Sequence, residues 1–221
     1  MAAESPLRPR LQKGELQVYE KPDQGGTRPD HRIVFQYNPE TLRRSFAARS
    51  APAQPGSATS APQAVLQVPG PPVETVTISI ALDAADQSDA GGDVDTLNRH
   101  GLYPVLSRLE LLLYPPSMRA EEIERQAEQG QVQVSAATTP LVMLAWGQSR
   151  VMPVQLTSFS VTEEAFDPQL NPIAAKVELS LKVLTYIEFP REGIGRDAFI
   201  GYQKEKESLA RKASDGRVVA I

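Results

Sequence analysis

The chain has 221 residues, a net charge of −4 and no cysteine, which bounds it to one domain with appendages and excludes disulfides and thiolate-held metals. Hydrophobic residues make up 41%, enough for a core, yet no apolar run approaches the ~20 residues that span a bilayer, and MAAESPLRPR lacks the apolar stretch of a secretory signal. A cytoplasmic protein with no direct membrane insertion is therefore expected, and the mildly acidic balance argues against nucleic acid as a partner.

Residues 1–11 read as an N-terminal arm. Glu15–Glu20 (ELQVYE) alternates weakly and predicts a short first strand. The turn-rich KPDQGGTRPD separates it from Arg32–Tyr37 (RIVFQY), a second strand closed by Asn38-Pro39. Residues 49–72 are dense in Pro, Ala, Ser and Gly, with too few large apolar groups to offset the entropy of ordering. They read as a long loop inside the domain, because the two strands before them are too few for a separate unit. Glu74–Leu82 is the clearest strand: Val76, Ile78, Ile80 and Leu82 share one face, and Thr75, Thr77 and Ser79 the other. Asp83–Asp93 reads as a polar loop.

Helical spacing then takes over. Leu102, Leu106, Leu109 and Leu113 form one stripe in a helix near 94–114, with Pro104 in a first turn and Pro115-Pro116 as the stop. Residues 120–129 fit a short exposed helix or a loop. Leu141–Trp146 (LVMLAW) is a continuous apolar run, as in a strand covered on both faces. In Val151–Val161, Met152, Val154 and Leu156 keep one phase but Phe159 and Val161 keep the other, which predicts a bulge near Thr157-Ser158. Ile173–Ile187 reads as a long strand with Lys176, Glu178, Ser180 and Lys182 on its polar face. Residues 191–221 are charged and helix-compatible. Phe199 and Tyr202 are possible anchors, and a docked helix and a disordered tail fit equally well.

No catalytic constellation stands out. His31 and His100 lack metal-ligand spacing. No GxSxG occurs, Glu121-Glu122 and Glu163-Glu164 are sequence neighbours rather than carboxylates facing across a cleft, and Arg43-Arg44 is too short for a nucleic-acid patch. No enzyme activity, metal or cofactor is expected.

Four phrases in order carry a resemblance: FQYNPETLRRSF with Asn38-Pro39; ISIALDA with Leu82-Asp83; PLVMLAWG with Trp146-Gly147, running on to Phe166; and NPIAAKVELSLKV with Pro172. Together they resemble the tube-like domain of contractile injection system baseplate proteins, over roughly 12–190. Members often carry a LysM module after this domain. No such segment follows Arg196, so peptidoglycan binding is not expected. The family phrase Gly-x-Pro-x-Arg-Ala stands here as Leu170–Ala175 without its Arg. The resemblance implies a mainly β fold with a flanking helix (α+β), an antiparallel barrel or sandwich of the phage tail-tube type. It also implies a homo-oligomeric, hexameric ring that meets the inner tube protein, the spike protein and the baseplate wedge or sheath, joins spike to tube and initiates tube assembly. Thr75, Thr77, Ser79, Lys176, Glu178, Ser180 and Lys182 are then candidates for a lumen or interface. From the residues alone, a monomeric barrel that binds a small ligand or glycan is the simpler reading.

Overall fold

Strict alternation of apolar and polar residues builds most of the architecture. In the computed structural model, which describes residues 12–20, 28–49, 68–89, 93–114, 117–128 and 139–213, the strands are β1 (Glu15–Tyr19), β2 (His31–Val34), β3 (Leu42–Ala47), β4 (Val73–Asp83), β5 (Leu141–Ala145), β6 (Val151–Phe166) and β7 (Pro172–Val183). The helices are α1 (Ala84–Asp89), α2 (Val94–His100), α3 (Tyr103–Glu110), α4 (Ser117–Glu128) and α5 (Ile194–Lys212). The strands form one antiparallel sheet in the order β2-β1-β5-β6-β7-β4-β3, so the mainly β, α+β expectation holds.

α3 packs on the buried face of the sheet. Leu102, Leu106, Leu109 and Leu112 are buried in one cluster with inward residues of β1, β2, β4, β5, β6 and β7. The Gln36 side chain donates to the Asp83 carbonyl at 2.9 Å and accepts from the Asp83 N–H at 3.0 Å, tying the chain beyond β2 to the end of β4. β5 is buried throughout. Val142 and Leu144 enter the main core, whereas Leu141 and Met143 join Tyr19 in a second cluster beneath Phe189, Ile194 and Ala198.

Several elements differ from their sequence reading. The helix expected near 94–114 is split, because Gly101 (φ +55) caps α2 and Leu102 starts α3. α3 ends at Glu110, so Leu112 rather than Leu113 completes the inward stripe; Leu113 is 39% exposed. The loop expected at 83–93 contains α1, capped by the Asp83 carboxylate, which accepts from the Ala85 N–H. β3 was not foreseen. β7 stops at Val183, short of Ile187, because Thr185 and Glu188 close a turn there. The shift between Leu156 and Ser158 is the expected bulge. The tail is docked: α5 buries Phe199 and Tyr202. Residues 1–11, 21–27 and 50–67, and Pro115-Pro116, lie outside the described residues.

Candidate assembly surface

Four neighbouring strands, β3, β4, β7 and β6, bring all seven candidate residues to one face. Across it run Ser45–Thr75–Lys182–Gln155, then Arg43–Thr77–Ser180–Ser158, then Ser79–Glu178–Ser160, then Ala81–Lys176–Thr162. Every residue in these rows is exposed or half-buried, while the alternate residues Val76, Ile78, Ile80, Val177, Leu179 and Leu181 are buried. The face is thus a wet, hydroxyl-rich sheet surface with scattered charges. Lys176 Nζ pairs with the Glu164 carboxylate at 2.6 Å, and Lys182 approaches Glu188 at 3.8 Å.

This four-stranded face has two unfinished edges. β5 pairs with β6 only over Val151–Val154, so from Gln155 to Phe166 β6 has β7 on one side and no described strand on the other. At the opposite side β3 pairs with β4 and has no other described strand beside it. Exposed strand edges template further pairing, and long ones are an aggregation hazard unless a partner covers them.

α5 is fixed beside the β3 edge by a polar cluster. Glu74, 4% exposed, accepts from Arg44 Nε at 2.8 Å, from the Tyr202 hydroxyl at 3.1 Å and from Lys206 Nζ at 3.0 Å. Burial, then the Glu74 carboxylate, push the Tyr202 phenol well above its ordinary value, so it stays a neutral donor. Arg44 and Lys206 both lie over the Phe46 ring, at 5.0 and 5.5 Å from its centroid. A second cluster joins Arg49, Pro71, Thr185 and Glu188. Arg49 donates to the Pro71 carbonyl and to Glu188, while Thr185 donates to Glu188 through its N–H and hydroxyl. Burial alone would raise the Glu188 carboxyl, but the Thr185 and Arg49 hydrogen bonds outweigh it and bring the pKa down to about 2.

The motif residues hold the frame. Asn38 accepts from the Gly14 N–H and donates to the Gln12 carbonyl, just ahead of Pro39. Gly14 carries no side chain because Trp146 and Phe35 press against it; an added Cβ would lie 2.7 Å from the Trp146 ring. Gly147 turns the chain at φ +70. Leu82 is core, and the Asp83 backbone is the Gln36 clamp. The buried Pro172 offers its carbonyl to the Leu102 N–H at 2.8 Å. Phe166, half exposed, begins the β6–β7 turn, where Asp167 accepts from Gln169 and Asn171 and holds Leu170 at φ +66. The Asn171 side-chain bond keeps the Asp167 carboxyl below its usual range.

His31 opens β2, 4.0 Å from Glu20, and His100 ends α2. Among the described residues no three His, Asp or Glu side chains cluster to hold a metal. A cleft of about 570 Å³ between β2, α2 and α3 is floored by Ile33, Phe35, Ile80 and Leu82 and rimmed by Lys13, Arg32 and Arg108. No described helix is long and apolar enough to cross a membrane.

Comparison with known proteins decides the family. The profile of the contractile injection system tube proteins matches residues 10–186, from the start of the sheet to just past β7. The chain belongs to the contractile injection system tube protein family. No curated protein matches it. As a member of that tube family, the chain is a structural component of a contractile injection system. The match spans β1 to β7 and stops before α5, so the helix docked on Glu74 lies beyond the family's matched region.

Proposed function

We propose that this tube-family protein works without catalysis, as a hexameric ring in the baseplate hub that joins the spike to the inner tube and initiates tube assembly. Copies join by adding β3 of one to the free stretch of β6 of the next. The observation that carries the reading is the pair of unfinished edges flanking one continuous polar face. Strand direction supports it. The unit β6-β7-β4-β3 is antiparallel and even in number, so β6 of a following copy runs opposite to β3 and the alternation continues around a closed ring. Closure then pairs the free edges of β3 and β6 and directs Thr75, Thr77, Ser79, Glu178 and Ser180 into a wet lumen.

The ring assembles in the cytoplasm as a domain of residues 12–190 with a charged C-terminal appendage, and becomes part of an injection particle. Its axial faces meet the spike and inner tube proteins, and wedge or sheath components lie around it. Native mass spectrometry of the full chain, alone and with the inner tube and spike proteins, tests this. Discrete closed oligomers or co-assemblies are expected. A strict monomer in every mixture would instead fit a lone ligand- or glycan-binding barrel that uses the cleft at Ile33 and Leu82.

A further inference from the structure

Where two copies join, the side chains on the two free edges discriminate between registers; this inference rests on the ring proposed above. β3 puts Leu42, Arg44 and Phe46 on the core side, opposite Ile78, Val76 and Glu74, and puts Arg43 and Ser45 on the polar face, opposite Thr77 and Thr75. The free stretch of β6 puts Phe159, Val161 and Glu163 on the core side, opposite Leu179, Val177 and Ala175, and Ser160 and Thr162 on the polar face. Glu164, paired with Lys176, also reaches the polar face. These core-side residues of β6 are only half-buried, and Phe46 is 53% exposed, so both edges carry apolar surface that a single copy leaves uncovered.

An antiparallel junction that keeps the polar face continuous can slide only in steps of two residues, because a step of one would turn every side chain to the other face. With Phe46 opposite Val161, Ser45 falls opposite Thr162 and Arg44 opposite Glu163, the last residue before the β6 register shifts. Apolar then meets apolar, hydroxyl meets hydroxyl, and Arg44 meets Glu163. Sliding two residues one way sets Arg44 against Val161 and Leu42 against Glu163. Sliding two the other way sets Phe46 against Glu163. Like-with-like apolar pairs and opposite charges are what stabilise cross-strand neighbours. We propose that adjoining copies pair β3 with β6 in the register that sets Phe46 against Val161, Ser45 against Thr162 and Arg44 against Glu163.

The absence of cysteine makes the register directly testable. Ser45 and Thr162 are both exposed, so Ser45→Cys with Thr162→Cys in one full-length chain leaves the subunit core intact. Oxidation of the assembled chain should give a ladder of covalent multimers on a non-reducing gel. The pairs Ser45→Cys/Ser160→Cys and Ser45→Cys/Glu164→Cys should give at least about tenfold less product, because diagonal Cβ atoms lie beyond disulfide reach. Native mass spectrometry of the unmodified chain runs beside the gel. Oligomers that cross-link through Ser160 or Glu164 instead, or not at all, would overturn the register while leaving the ring. A chain that stays monomeric in that measurement would overturn both.

Discussion

Gly101 lies directly against the Pro172 carbonyl: with φ at +55 it ends α2, and the next residue, Leu102, donates its N–H to that same oxygen at 2.8 Å. This contact sets the start of α3 against the start of β7 and so aims the leucine stripe into the core of the sheet. Any Cβ at Gly101 meets the Pro172 carbonyl and an unfavourable backbone region together. Gly101→Ala should cost about 2–3 kcal/mol of unfolding free energy. Urea denaturation followed by circular dichroism measures it, and an unchanged midpoint would contradict the packing described.

The Glu74 cluster predicts local rather than global loosening when weakened. Tyr202→Phe removes a donor to the carboxylate and should cost about 1 kcal/mol. Glu74→Ala leaves the Arg44 guanidinium without its carboxylate and should cost about 3 kcal/mol. In both variants amide exchange should speed up across Ile194–Lys212 before it does in β7.

Glu188 gives the fold an acid-side sensitivity. Its pKa falls from 4.5 to about 2 on folding, so its stabilisation is fully present above 4.5 and is lost as pH falls toward 2. The melting temperature should drop over that window, and the drop should be smaller in Glu188→Gln. An identical pH profile for the two proteins would show that the Thr185 and Arg49 bonds do not favour the charged carboxylate.

A lumen position should be shielded by size. Thr77→Cys sits in the middle of the polar face, paired with Arg43 and Ser180. In the ring, a small maleimide should label it at the same rate as in the isolated subunit, while a maleimide carried on a large polymer should be slowed. Equal rates for the bulky reagent in both states would place Thr77 on an outer surface.

Much of this was legible in the sequence, for a local reason. Val76 to Leu82 and Ala175 to Val183 alternate without interruption, and the phase change between Leu156 and Phe159 marks a bulge because strand periodicity is rigid. β3 escaped notice because an edge strand bearing Arg43, Arg44 and Ser45 has no apolar alternation to display. The split at Gly101 was masked by the leucines of α3, whose spacing runs on whether or not α2 is continuous with it; His100-Gly101 was the available signal for a helix end. The candidate polar residues were readable as one side of β4 and β7. That β5 leaves one edge of β6 without a described strand after Val154, and that Glu74 meets Tyr202, depend on contacts between distant segments and have no local signature.

Amide hydrogen exchange along β6 tests the central claim most directly, because the claim concerns the backbone hydrogen bonds of one edge. Compared between the isolated subunit and the assembled protein, Gln155–Glu164 and Leu42–Ala47 should both become strongly protected on assembly, while the opposite sheet edge at His31–Val34 should change little. If those two segments exchange equally fast in the assembled state, copies of this chain do not complete one another's sheets.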